Sequence, residues 1–143
     1  TELLSGFEAG NITLINGYVG SDELNAIQNQ SEVHVCTSEA EGCCHYICEP
    51  LSCVAIVITV DGYPMNELVQ ADRGVLVKVK SSEPVCYSTK FIFDPLDLEK
   101  KIERVLSMSE TEKLKLKKSA KQYFYKNDHF FKKRMLEAID KTI

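Results

Sequence analysis

The stretch SEAEGCCHYICE, residues 38–49, lies between two runs that have the composition of buried strands. The run before it is VHVC, residues 33–36, and the run after it is VAIVITV, residues 54–60. A near-continuous apolar run is typical of a parallel strand that is covered on both faces. The stretch between the two runs therefore predicts a turn followed by a helix, and so a strand–helix–strand unit.

The spacing of residues within this helix separates a core-facing stripe from a polar one. Apolar side chains recur at i, i+3, i+4 and i+7, and they are Cys44, Ile47, Cys48 and Leu51. His45, Glu49 and Ser52 form a second, polar stripe, and Glu41 lies in the preceding turn. Ligands bind at the carboxyl edge of an open parallel sheet, where we expect these polar groups to emerge. A carboxylate at this edge can accept hydrogen bonds from two hydroxyls of a ribose or a sugar.

The rest of the chain continues the alternation of strands and helices. We predict a strand over residues 12–19 and a helix that has Ser21 as its N-cap and ends near Ser31. The later predictions are a central strand over 54–60, a short helix over 65–69, a strand over 74–79, a loop over 80–90, a helix that opens at Asp94 and Pro95, and two helices within 109–143 that are separated near Asn127 and Asp128. In the helix after Pro95, the residues expected to face the core are Leu98, Ile102, Val105 and Leu106.

This order predicts one α/β domain over residues 1–143. The predicted fold is a single Rossmann-like, doubly wound and mainly parallel sheet with helices on both faces. Residues 12–108 would form this core, and residues 109–143 would add a C-terminal helical pair.

The six cysteines do not have the spacing of a disulfide framework. Five of them lie between Cys36 and Cys53, and two of these, Cys43 and Cys44, are adjacent. Reduced cysteines that pack as small apolar residues explain this pattern. The alternative is a zinc site made by Cys44, His45, Cys48 and Cys53, which lacks the paired C-x2-C spacing of structural zinc sites.

Charge is divided unevenly along the chain. Residues 1–70 contain no Lys or Arg, and the remainder carries all 17 of them, while the net charge is −4. The basic residues, among them Lys117, Lys118 and Lys121, are interpreted as a solvated helical face, with contact to an anionic membrane surface as the alternative. An acidic pI of about 5.4 and the lack of interleaved aromatic and basic residues argue against nucleic acid. No apolar run approaches the ~18–20 residues that span a membrane.

The pair Glu41 and Glu49, with Gly42 directly after the first, resembles the donor-site motif of retaining GT-B glycosyltransferases, and most closely that of glycosyltransferase family 4. The segment HVCTSEAEG, residues 34–42, is similar to the family's "v.PS..EG" segment. VAIVITVDGYPMNELV, residues 54–69, is similar to "G.pvv.t..g...Elv". RGVLV and DPLDLEKKIERVL resemble the family's later strand and helix, so the resemblance runs from about Leu14 to the C-terminus.

The resemblance implies the C-terminal, donor-binding half of a GT-B enzyme that uses a nucleotide-diphosphate sugar, with neither a metal nor another cofactor. Glu41 would be catalytic, close to the transferred sugar, and Glu49 would accept the ribose hydroxyls. The other implied donor-binding residues are Gly42, Cys43, His45, Pro64, Met65, Asn66 and Glu67. From the residues alone, Glu41 reads as a helix N-terminal acid, and His45 and Glu49 read as surface side chains. An N-terminal domain missing from this chain would hold the acceptor, so the chain alone would be inactive. The implied location is cytoplasmic, with peripheral membrane contact left open.

Three positions depart from the family pattern. Cys44 replaces the second glycine of Glu-Gly-Phe-Gly, Val54 replaces the glycine before the central strand, and Pro50 replaces an alanine. A proline inside a helix costs ~3 kcal/mol, so we expect the helix to begin near Cys48 or to kink. The family's diphosphate-binding Arg and Lys belong to a segment ahead of this sequence. The alternative function is therefore a non-catalytic Rossmann-like binding or assembly module derived from that family.

Overall fold

The computed structural model describes residues 12–141, which form five helices and five strands. In chain order these elements are α1 (Ser21–Gln30), β1 (Val33–Cys36), α2 (His45–Ser52), β2 (Ile56–Val60), α3 (Met65–Leu68), β3 (Val75–Val77), β4 (Val79–Val85), β5 (Ser88–Phe93), α4 (Pro95–Leu106) and α5 (Glu110–Asp140).

The three strands β1, β2 and β3 form a parallel sheet with β2 in the centre. All five residues of β2 are buried, as its uninterrupted apolar composition predicts. Thr59 is the polar residue of β2, and its hydroxyl donates a 2.7 Å hydrogen bond to the carbonyl oxygen of Cys36 in β1. The predicted mixed α/β fold with a central parallel strand is therefore confirmed.

Helices pack against both faces of this sheet. On one face Val57 of β2 lies in a cluster with Ile47 and Leu51 of α2, Met65 of α3 and Ala120 of α5.

On the opposite face Ile56 and Ile58 pack against α4 through Val105, with Leu98 and Ile102 at the margin of the cluster. Leu106 is wrongly predicted to face inward, since 69% of its surface is exposed. The side chain of Asp94 caps α4 by accepting a hydrogen bond from the amide of Leu96, as the Asp-Pro opening predicts.

Residues 80–90, predicted to be a loop, form most of an antiparallel hairpin. β4 pairs with β5 from Val79 opposite Phe93 to Val85 opposite Ser88. The prediction is wrong because six of the seven residues of β4 are exposed, so no apolar alternation marks the strand. Pro84 also argues against a strand in the sequence, although an edge strand tolerates it.

The C-terminal segment is one helix, α5, of 31 residues, and the predicted helical pair is wrong. Ser109 and Glu112 form a reciprocal capping box at its start. Residues 110–140 contain no Gly or Pro, and Asn127 and Asp128 each cost only some tenths of a kcal/mol in a helix, so α5 continues through them. No helix within residues 12–141 has both the length and the apolar composition to cross a membrane.

The segment before α1 differs from its prediction as well. Residues 12–19 form no strand, and Ile12, Leu14 and Tyr18 are 64–95% exposed. Strand propensity reflects the fit to a pleated, half-buried surface, and these side chains have no such surface. Helix α1 begins one residue earlier than predicted, with Gly20 rather than Ser21 at the N-cap.

Candidate functional site at the carboxyl ends of β1 and β2

Glu41 lies in the turn that follows β1, where the sequence places it. One oxygen of its carboxylate accepts a 2.8 Å hydrogen bond from the Ser38 hydroxyl, which fixes the carboxylate within the turn. Gly42 is exposed, and a Cβ at this position would meet no protein atom within 4 Å. The turn therefore presents a positioned carboxylate beside open space.

Tyr46, in the first turn of α2, adds a buried hydroxyl close to Glu41. This hydroxyl has no hydrogen-bond partner in the described part of the chain. Burial, together with a smaller contribution from the Glu41 charge, raises the pKa of Tyr46 to about 12. Tyr46 is therefore neutral at physiological pH and can donate a proton to a hydrogen bond.

Cys44 forms the N-cap of α2 in the left-handed backbone conformation, with φ 52° and ψ 41°. Its side chain is 1% exposed and packs in the core beside Ile47. Burial raises the pKa of its thiol to about 11, with a smaller contribution from the Glu41 charge. Cys44 is thus an apolar packing residue on a backbone conformation that glycine adopts most readily.

Pro50 lies inside α2, which begins at His45 and neither starts late nor is interrupted. Its ring removes the amide hydrogen that the carbonyl of Tyr46 would accept in a regular helix. That carbonyl accepts a 3.3 Å hydrogen bond from the thiol of Cys36 in β1 instead. The expectation of a later start near Cys48 is wrong because this thiol satisfies the orphaned carbonyl.

His45 and Glu49 are both exposed on the outer face of α2. The carboxylate of Glu49 accepts a 2.6 Å hydrogen bond from the side-chain amide of Gln28 in α1. Both residues line an open groove of about 430 Å³ between α2 and α5, here called the α2–α5 groove. Its full lining is Cys43, His45, Cys48, Glu49, Phe124, Asn127, Asp128 and Phe131.

The turn after β2 holds the second set of predicted donor-binding residues. Met65 is fully buried, so its side chain belongs to the core. The backbone amide of Asn66 donates to the carbonyl of Gly62 at 3.0 Å, and its side chain donates to Asp61, also at 3.0 Å. Pro64 is half-buried and Glu67 is exposed. The exposed carboxylate of Glu67 is therefore the group of this turn best placed to meet a ligand.

Strand β5 contacts the turn after β1 and the turn after β2. The sequence did not predict these contacts. The amide of Phe91 donates a 2.7 Å hydrogen bond to the carbonyl of Glu39, and the ammonium of Lys90 lies 2.9 Å from the Glu39 carboxylate. Glu39 raises the pKa of Lys90 above its usual range. The ring of Phe91 lies against Gly62, where an added Cβ would stand 2.6 Å from two ring carbons. The hairpin thus flanks the carboxyl edge of the sheet.

All six cysteines are free thiols, of which Cys43 and Cys86 are exposed. Burial raises the pKa of Cys36 to about 12 and also raises the pKa of Cys48, so both remain protonated. Within residues 12–141, no three His, Cys, Asp or Glu side chains are arranged to hold a metal ion. The alternative of a zinc site made by Cys44, His45, Cys48 and Cys53 therefore has no geometric support in this part of the chain.

The structure divides the predicted residues among three places, one of which is the turn after β2 with Pro64, Met65, Asn66 and Glu67. Glu41 and Gly42 lie in the turn after β1, and Cys43, His45 and Glu49 lie in the α2–α5 groove. The α5 residues of the groove were missed, because a local helical pattern does not reveal which distant helix it contacts.

Comparison with known proteins adds no family to this description. A scan against protein-family models finds no match, and a search of curated proteins finds none.

Proposed function

We propose that the chain is the donor-binding half of a retaining GT-B glycosyltransferase that uses a nucleotide-diphosphate sugar. The order of the strands is compatible with this proposal. In a doubly wound sheet with the strand order 3-2-1-4-5-6, the last three strands of the chain lie side by side in chain order. Strands β1, β2 and β3 of this protein have the same arrangement. Glu41 would lie near the transferred sugar, where a carboxylate stabilises oxocarbenium-like charge. The acceptor would be held by a second domain.

The observation that carries the proposal concerns the two positions at which the resemblance expects glycine and this sequence has another residue. The resemblance expects glycine at the positions of Cys44 and Val54, and their φ angles are 52° and 62°. Non-glycine residues rarely take positive φ, and a β-branched residue does so only as an outlier. The backbone therefore has the conformation that suits glycine at both positions where this sequence departs from the family.

Calorimetry tests the proposal with uridine, guanosine and adenosine diphosphates and their glucose conjugates. We expect Glu49→Ala to weaken binding of both the diphosphate and its conjugate by roughly ten- to a hundredfold, because losing a charge-assisted hydrogen bond costs about 1.5–3 kcal/mol. Glu41→Ala should weaken the conjugate alone. Glu23→Ala, which changes an exposed carboxylate of α1, is the matched control and should change neither affinity. Failure of wild type to bind any of these ligands would remove the proposal.

A second candidate function, a non-catalytic binding module, is favoured by the contacts of β5 with the turns after β1 and β2. Phe91 and Lys90 occupy part of the edge at which a donor would bind. The same calorimetry separates the two functions. A non-catalytic module has no use for a carboxylate beside the sugar, so Glu41→Ala would then leave the affinity for the conjugate unchanged.

A further inference from the structure

We propose that a basic hollow at the amino edge of the parallel sheet binds a small, soluble phosphate monoester. The hollow lies where the segment before β3 meets the C-terminal part of α4 and the N-terminal part of α5, and it is here called the α4–α5 hollow. This inference goes beyond the proposed donor-binding function, because the turns after β1 and β2 lie at the opposite, carboxyl edge of the sheet.

Two adjoining cavities form the α4–α5 hollow, and both are lined by Ala71, Arg104, Met108 and Leu116. Their volumes are about 160 and 290 Å³, and the larger is close to the lower end of the roughly 300–1,000 Å³ of small-molecule sites. Met108 and Leu116 are half-buried, and Met108 packs against the core cluster that joins β2, β3 and α4. The hollow therefore has an apolar floor that can hold a compact organic group.

Three basic side chains converge on the hollow from two helices. Lys101 and Arg104 belong to α4, and Lys115 belongs to α5. Within residues 12–141, none of these three side chains forms an ion pair. By contrast, Lys113 of α5 pairs with Glu32 at 3.3 Å. The positive charge of the hollow is therefore available to a bound anion.

The two acidic residues of the hollow are each bonded to a neighbour. Asp72 pairs at 3.0 Å with Arg73, whose side chain is buried. One oxygen of the Glu112 carboxylate accepts hydrogen bonds from the Ser109 hydroxyl and amide, at 2.6 and 3.0 Å. These bonds lower the pKa of Glu112, and the nearby Arg104 charge makes a smaller contribution. Three bases against two bonded acids leave the lining of the hollow positive.

The placement of the bases favours a phosphate monoester over a carboxylate. A phosphate monoester carries a charge of about −1.5 to −2 at pH 7 and has three strong acceptor oxygens, whereas a carboxylate has one charge and two oxygens. The guanidinium of Arg104 can bind two phosphate oxygens side by side, and the third can accept from the ammonium of Lys101 or Lys115. Because the apolar floor lies inside the hollow, the organic group of the ester is compact, which favours a soluble ligand over a phospholipid.

Calorimetry on the whole chain with phenyl phosphate tests the proposal, at low salt because exposed charges are screened. We expect Arg104→Gln to weaken binding by roughly ten- to a hundredfold, because charge-assisted hydrogen bonds are lost, and Lys115→Gln to weaken it in the same direction. Lys100→Gln is the matched control, since Lys100 is an exposed base of α4 that lines neither cavity. It should change the affinity by less than about threefold. Arg104 is exposed as well, so neither substitution on α4 removes a core side chain.

Three further probes define the ligand. Inorganic phosphate should bind more weakly than phenyl phosphate, because it leaves the floor of Met108 and Leu116 uncovered, and benzyl alcohol should not bind. Equal affinity for inorganic phosphate would overturn the assignment to an ester, and binding of benzyl alcohol as tight as that of phenyl phosphate would show an apolar cavity only. Binding to vesicles that contain phosphatidic acid, without binding of phenyl phosphate, would overturn the assignment to a soluble ligand.

Two results with phenyl phosphate itself would also overturn the proposal. One is that wild type does not bind it, and the other is that Arg104→Gln and Lys100→Gln lose the same affinity, since the anion then feels only the general charge of α4. Neither result bears on donor binding, which is tested by the Glu41 and Glu49 variants at the other edge of the sheet.

Discussion

At the scale of single residues, Cys44 and Val54 hold left-handed backbone with side chains that disfavour it. This conformation costs an L-residue roughly 1–2 kcal/mol. Cys44 has a compensation, because its side chain is 1% exposed and packs in the core. Val54 is only half-buried, so less burial offsets its strain. The strain at Val54 should therefore be measurable as a stability difference.

We expect Val54→Gly to be more stable than Val54→Ala by about 1 kcal/mol. Both substitutions remove the valine side chain, so the loss of burial largely cancels, and alanine keeps the penalty of positive φ that glycine avoids. Urea unfolding monitored by circular dichroism gives the two free energies. Ala26, which is exposed in the interior of α1, is the control site, because there the wild-type alanine should be more stable than Ala26→Gly. If Val54→Ala has the larger free energy of unfolding, the backbone at residue 54 is not strained.

At the scale of elements, the β4–β5 hairpin is the part of the fold that the sequence conceals. The buried strand β2 was predictable because its apolar run is continuous, and α4 was predictable from its cap and its apolar spacing. The hairpin was not, because its exposed side chains carry no pattern and its position depends on a few long-range contacts such as that of Phe91 with Glu39. Glu41 and Glu49 could be chosen as candidate residues from their local spacing, whereas the α5 residues of the α2–α5 groove could not, because they meet α2 only through long-range packing.

The contact between the hairpin and the turn after β2 can be measured with a double-mutant cycle. Gly62→Ala would place a Cβ 2.6 Å from the Phe91 ring, and we expect a loss of about 1–3 kcal/mol because the ring carbons nearest to it cannot move far. In a Phe91→Ala background the added methyl meets no ring, so the same substitution should cost close to nothing. The free energies of unfolding of wild type, both single variants and the double variant give the coupling. Equal costs of Gly62→Ala in both backgrounds would show that β5 does not pack on this turn.

At the scale of the whole molecule, the uneven charge of the chain is partly neutralised by long-range pairs. Glu32, just before β1, bonds Lys117 at 2.6 Å and Lys113 at 3.3 Å, both on α5. Glu39 pairs with Lys90 in the same way, joining the acidic part of the chain to the basic part. Some of the lysines that could form a membrane-binding face are therefore used to hold α5 against the α/β core.

The pairing of Glu32 makes a pH-dependent contribution to stability. Hydrogen bonding to Lys117, with help from Lys113, lowers the pKa of Glu32 below its ordinary value of 4.5. The stabilisation is thus fully present above the unfolded-state pKa and is lost as the pH falls through the lower folded-state pKa. We expect Glu32→Gln to cost about 0.5–1 kcal/mol at neutral pH, since the pair is partly exposed. The difference from wild type should shrink as the pH falls below 4.5 and vanish once the pH is below the lowered pKa of Glu32 in the folded protein.

The control for this prediction is Glu137→Gln. The Glu137 side chain is similarly exposed, but its ion pair with Lys133, at 3.9 Å, lies within α5. Glu137→Gln should therefore change the free energy of unfolding by a few tenths of a kcal/mol at most. Urea unfolding across the pH range measures both variants against wild type. A cost of Glu32→Gln that stays constant down to pH 3 would show that the loss does not arise from the charge of Glu32. In that case the ion pairs with Lys113 and Lys117 would not be what anchors α5.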